Sequence, residues 1–135
     1  MKLITLSIIS TLLLCFSSCD KEYAPYVKFK QSNYKKIKSD IVDVNLGSEY
    51  NLIIENGYKS TPPVFAIQKN ADPEQVISNS NITQESQGWN GKKELILKTV
   101  RVHLNFHANN FNVGDQLKVL SRHSGITEFL VFRIK

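Results

Sequence analysis

Three histidines, two cysteines and a scatter of serines are the side chains of this 135-residue chain from which nucleophilic or metal chemistry would have to be built. His103 and His107 stand four apart, the spacing that on a helix turns two imidazoles to one face for zinc. Their surroundings read as strand, where four residues span about 13 Å, too far for two ligands that each approach one ion to about 2 Å. His123 lies between Ser121 and Ser124, but a base needs a nucleophile and an orienting carboxylate that meet it in space. No Gly-x-Ser-x-Gly elbow occurs, and Asp115 in Val113-Gly114-Asp115 reads as a turn residue. Both cysteines, Cys15 and Cys19, fall near the N-terminus, so the remainder has no thiol for catalysis, a metal or a disulfide. The residues predict no enzyme, no metal site and no cofactor.

Cys19 has a different chemistry. Met1 and Lys2 open an apolar run from Leu3 to Phe16, followed by Ser17 and Ser18, a basic, apolar and small pattern ending at a cysteine. The run is too short to span a bilayer core of about 30 Å. It resembles the signal of a bacterial lipoprotein precursor, with Phe16 where leucine is more usual, and implies cleavage ahead of Cys19 and acylation of its thiol and new amine. The competing reading is an ordinary secretory signal in which Cys19 is a spectator. Each acyl methylene contributes about 0.8 kcal/mol of membrane binding, so several chains anchor firmly. Asp20, Lys21 and Glu22 resemble the charged surface-export signals of Bacteroidota lipoproteins. Residues 1–18 are thus expected as signal, 19–25 as a lipidated tether and 26–135 as one domain in the cell envelope at the outer membrane, facing periplasm or surface.

Removing the first 18 of 135 residues leaves 117, enough for one core and too few for two. Without Lys2 there are 16 basic against 12 acidic side chains, a spread net charge of +4. Only Tyr34 to Lys38 clusters, and it reads as solvated surface; nucleic acid is not an expected partner.

The elements that must hold these residues show period-two alternation bounded by Gly, Pro, Asn and Ser. Expected strands are Tyr26 to Lys30, Ile41 to Asn45, Tyr50 to Glu55, Val64 to Gln68, Glu94 to Thr99, Val100 to Phe106, Gln116 to Leu120 and Glu128 to Ile134. Val100, Val102, Leu104 and Phe106 share a face opposite Arg101, His103 and Asn105. Asp72 to Glu85 is read as a connection with room for a helical turn or two, leading into the polar run Gln84 to Lys93. The fold class is all-β, a single small domain of about eight short strands, as a mixed or closed barrel or alternatively an Ig-like sandwich.

Two kinds of residue remain as binding candidates. Tyr58 in Asn56-Gly57-Tyr58 and Trp89 in Gly88-Trp89-Asn90-Gly91 would serve as aromatic platforms for a sugar or partner, or else close one end of the core. His123, Ser124, Gly125, Ile126 and Thr127 form a polar loop before the last apolar strand, and a plain hairpin turn explains them equally.

From Gly125 to Lys135 the chain resembles the C-terminal segment of the staphostatins, inhibitors of papain-like cysteine proteases in which a glycine also precedes the final strand. Tyr50 to Tyr58 followed by Ser60 to Gln68 is similar to a family strand, turn and returning strand. Ile126 intervenes before Thr127 where the family has Thr-Ser after its glycine, and Tyr58 stands where tryptophan is common. The resemblance implies an eight-stranded mixed barrel whose 123–127 loop runs through a protease cleft like a substrate, with Gly125 at the attacked bond holding its carbonyl out of reach. On that reading the chain is a monomeric, envelope-anchored inhibitor with a cysteine protease as partner. The alternative is a non-catalytic Ig-like or barrel module that recognises a glycan or a partner protein.

Overall fold

Alternation along Val100 to Phe106 does set the inner face of a long strand in the computed structural model of the protein, which describes residues 24–89 and 95–135. Among the described residues nine strands form in chain order: β1 (Tyr26–Lys30), β2 (Ile41–Val44), β3 (Glu49–Tyr58), β4 (Val64–Lys69), β5 (Gln75–Val76), β6 (Ile82–Trp89), β7 (Ile96–Asn105), β8 (Gln116–His123) and β9 (Ile126–Ile134). One sheet has the order β1-β3-β7-β6 and the other β2-β9-β8-β4-β5. All pairings are antiparallel except β2 with β9.

The all-β expectation holds, and it takes the sandwich form; the sheets do not close into a barrel. Closure needs an edge strand of one sheet to pair with an edge of the other. Two-residue β5 offers too short a ladder, and the outer edge of β1 is occupied by its own following loop, through the Lys30–Lys36 bridge and the Ile37 amide bonded to the Phe29 carbonyl at 2.9 Å. Taking β1 to β9 as A, A′, B, C, C′, D, E, F and G gives sheets ABED and A′GFCC′, the arrangement of an immunoglobulin-type sandwich.

Two expected strands, Glu94 to Thr99 and Val100 to Phe106, are one. Nothing between Thr99 and Val100 breaks the ladder, and β7 pairs with β3 continuously from Ile96 to Asn105. The polar stretch read as a connection contains a single 3-10 turn, Asn79–Asn81, and then β6, whose residues Thr83 to Trp89 are all exposed. Such a strand carries no apolar alternation; it is held by its ladder to β7.

Leu52 and Ile54 of β3, Val100 and Val102 of β7, Val119 of β8 and Phe132 of β9 meet between the sheets, each nearly or fully buried. Phe106 packs on Phe132 and Phe111 at ring separations of 5.6 and 5.5 Å, closing the end opposite the β8–β9 turn. One polar pair sits in this core. Ser121 Oγ of β8 donates to Asn56 Oδ1 of β3 across 2.6 Å, and Asn56 Nδ2 donates to the Lys98 carbonyl at 3.3 Å. Both side chains are wholly buried, so this bond ties sheet to sheet out of reach of water.

Ser121→Ala leaves Asn56 Oδ1 without its donor and should cost about 1–3 kcal/mol, the desolvation penalty of an orphaned buried acceptor. Urea unfolding of the two single alanine variants and of Asn56→Ala/Ser121→Ala should show the double loss to be smaller than the sum by about 1 kcal/mol or more. Simple additivity would mean that the bond contributes nothing.

Candidate functional site

The fold gathers most of the sequence-predicted site residues at one end, where β1 begins, β3, β6 and β8 finish, and β9 starts. Tyr58 stands beside Ile96, which pairs with Trp89, so Tyr58 and Trp89 lie in one cross-strand row. His123 reaches this end from the opposite sheet, its ring 6.2 Å from that of Tyr58. Tyr58 is 4% exposed and therefore part of the core, not a platform, whereas Trp89 is 54% exposed. Residues 90–94 and 1–23 lie outside the described residues, and with them Cys19, the signal and most of the tether.

The segment from His123 to Thr127 is less of a loop than its composition predicts. His123 pairs with Ile126 and Arg122 with Thr127 in the β8–β9 ladder, so only Ser124 and Gly125 form the turn. Both have positive φ, 51° and 75°, the signature of a two-residue type I′ hairpin turn. Glycine relieves the left-handed strain at the second position, which would cost another residue about 1–2 kcal/mol. Ser124 and Gly125 are exposed, but His123 is 4% exposed and belongs to the core. Its Nε2–H donates to the Tyr26 carbonyl at 3.1 Å, which leaves Nδ1 as a buried acceptor without a partner.

His103 points to solvent from β7, its Nδ1 2.7 Å from Asn51 Oδ1, and His107 lies beyond the strand end. Among the described residues no three His, Cys, Asp or Glu side chains converge on a point. A groove of about 340 Å³ opens between the sheets on the β5–β6 side, lined by Ile67, Ile77, Thr83 and Leu104 among others; two-residue β5 leaves it uncovered.

The most distinctive surface is one that no single motif announces. On the five-stranded sheet, Phe65, Val119 and Phe132 face the core, so their neighbours Ala66, Leu120 and Val131 face out. Register then sets Val76, Ala66, Leu120 and Phe129 in one row across β5, β4, β8 and β9, and Ile41 beside Val131 in the next. Val76 is 71% exposed, and Ile41, Val64 and Phe129 are each 46% exposed. A sheet that packs one face and wets the other normally puts polar residues here.

Two arginines beside this apolar band are paired within the chain. Arg133 grips Asp43 with two bonds of 2.8 and 3.3 Å, and Arg122 meets Glu74 at 2.7 Å, a span from β8 to the start of β5 that crosses β4 above Ala66. These hydrogen bonds hold both carboxyls below their usual range. The Lys118 ammonium lies over the Phe129 ring at 5.0 Å.

No family model and no curated protein matches the chain. Its structure resembles the solved structure described as "Crystal Structure of Rst D1-D2", with a TM-score of 0.50 and 8% sequence identity over 80% of this chain and 48% of the other. The likeness is one of fold. This chain spans about half the length of that one, and at such identity the match carries no residue role.

Sequence reasoning missed the outer apolar band because its members come from five segments. A signal was nonetheless present: Phe129-Leu130-Val131-Phe132 and Val119-Leu120 are runs of consecutive apolar residues, the pattern of strands covered on both faces.

Burial pushes the His123 pKa below its usual value of about 6.5, only partly offset by its bond to the Tyr26 carbonyl. The unfolded chain therefore takes up this proton first. Stability from the neutral ring is fully present above about pH 6.5 and is lost as pH falls through the lowered folded-state value. Thermal melts across pH 5 to 8 should show that decline, and His123→Gln, which keeps a donor for Tyr26, should flatten it; an unchanged slope would remove His123 as its cause.

Proposed function

We propose that this chain is a non-catalytic recognition domain, anchored to the cell envelope through Cys19, that holds a partner protein on the outer face of its five-stranded sheet. The observation that carries the reading is the exposed band of Ile41, Val64, Val76 and Phe129 over a floor of Ala66, Leu120 and Val131. Exposed aromatic and aliphatic groups beside a buried floor, ringed by charges, are the anatomy of a protein interface with a central hot spot. The flanking ion pairs are already neutralised, so docking leaves few charges to strip of water without compensation. Lys118, over the Phe129 ring, is a cation available to meet a carboxylate, and the partner expected is one with apolar side chains bordered by acidic groups.

The inhibitor reading asks for an extended segment around Gly125 that can lie along a cleft. Here the residues on both sides of the Ser124–Gly125 turn pair with each other, and what projects beyond the ladder is two residues long. A sugar platform asks for clustered exposed aromatics, and of Tyr58 and Trp89 only Trp89 is exposed. The sheet face therefore has the better claim.

A photo-crosslinking residue placed at Val64 of the full chain, in the envelope of the producing cell, should capture one defined protein. Phe129→Glu should cut that capture about tenfold or more, the weight of a hot-spot residue, without moving the melting temperature by more than a few degrees. Capture unaffected by Phe129→Glu would remove the sheet face from consideration. Stoichiometric inhibition of a papain-like protease by the folded chain, lost in a folded Gly125→Ala variant, would return the site to the hairpin turn.

A further inference from the structure

Strand β6 is an edge strand of an unusual kind. Among the described residues it pairs with β7 on one side only, and every residue from Thr83 to Trp89 is exposed. Its ladder is regular from Gln84 to Trp89, with one irregularity confined to its first residues. A free edge of this length presents a row of unpaired amides and carbonyls, a template that folded proteins ordinarily blunt. The other edges are blunted: β1 by its own loop through Lys36 and Ile37, β2 by a length of four residues and β5 by a length of two. The usual edge guards are charged side chains, proline, inward-pointing charges and bulges. β6 has neither lysine nor proline; its guards are the irregularity between Ile82 and Gln84 and one charge, Glu85, which Lys98 neutralises at 2.7 Å, so the stretch from Gln84 to Trp89 stays a regular edge.

The charge map says what would fit there. A chain of net charge +5 repels a copy of itself over most of its surface, yet from Asn70 to Gly91 there is no lysine or arginine. Placed antiparallel to itself about Ser86, β6 sets Ser86 against Ser86, Glu85 against Gln87, Gln84 against Gly88 and Thr83 against Trp89. No like charges face each other, Glu85 meets an amide donor, and an aromatic residue meets a β-branched one, pairings that favour a ladder. We propose that β6 is a self-association edge, through which two copies join their four-stranded sheets into one continuous eight-stranded sheet. This stands in place of the monomer expected on the inhibitor reading, and it uses a surface separate from the partner face on the other sheet.

The test is photo-crosslinking of the full chain in the envelope of the producing cell, with the photoreactive residue at Gln84 and, as a control on the same sheet, at Asn51. The expected result is a product of twice the chain's mass from position 84 and none from 51. Adding Ser86→Lys to the position-84 chain sets two lysines against each other at the centre of the pairing and should lower the yield at least fivefold. Its far-UV spectrum should stay unchanged, because residue 86 is exposed in the single chain. No doubled product from position 84, a product with a different protein, or a yield indifferent to Ser86→Lys would each overturn the proposal. None of these outcomes depends on capture at Val64, so the two surfaces stand or fall separately.

Discussion

A wholly buried side-chain hydrogen bond between the sheets, Ser121 to Asn56, occupies the place on which the rest of this sandwich depends. It joins β3 to β8, the strands that in antibody domains are joined by a disulfide, in a chain whose described part contains no cysteine. A disulfide holds two sheets by covalent geometry and by constraining the unfolded chain. A hydrogen bond holds them only if it stays dry. Its contribution is set by the cost of separating two wholly buried polar groups, which makes the surrounding packing of Leu52, Val119 and Phe132 a condition of the bond as well as a source of stability in its own right.

That dependence on packing bears on how the five-stranded sheet is built. Its strands are apolar on both faces: Val119 and Phe132 inward, Leu120 and Phe129 outward. Outward Leu120 and Ala66 are nonetheless buried, beneath the Arg122–Glu74 span and beside Phe129. The outer layer is therefore partly covered by the chain itself and partly open, at Val76, Val64, Phe129 and Ile41. Ion pairs on a wet surface contribute little to stability. What Arg122–Glu74 and Arg133–Asp43 do here is satisfy one another's charge, so that the apolar residues between them are the chemistry left on offer.

Most of the strands were legible because most of them alternate. β1 to β4 and β7 to β9 begin or end within a few residues of the expected bounds, since Gly, Pro and Asn punctuate apolar runs. β6 was illegible for a physical reason: neither of its faces is buried, so it has nothing apolar to repeat, and its existence depends on β7. Whether the sheets close was equally beyond the pattern, because it turns on the length of β5 and on a loop that folds back along β1. At the candidate sites, residue type misled in opposite directions. Tyr58 and His123 have polar tips that suggest exposure, yet each has a ring that fills one end of the core. Trp89 has the largest apolar area in the chain and stays out, since its strand has no opposing layer.

Geometry links the anchor to both proposed surfaces. Seven Cα–Cα steps lead from Cys19 to Tyr26 at the start of β1, a reach of at most about 25 Å, and β1 starts at the end that carries the Ser124–Gly125 turn. Pairing two β6 strands antiparallel places the two turn ends, and so the two tethers, at opposite ends of the joined sheet. With the lipid proposed at Cys19 of each copy, both anchors enter one bilayer most directly when the two-fold axis stands along the membrane normal, which lays the eight-stranded sheet flat on the surface. With its outer face toward the lipid, presenting Lys28 and Arg101, the two five-stranded sheets point away from the membrane. In that arrangement the bands around Phe129 become a pair of parallel, outward-facing docking sites, and a partner with two matching patches would gain from their fixed spacing without any stronger contact at either one.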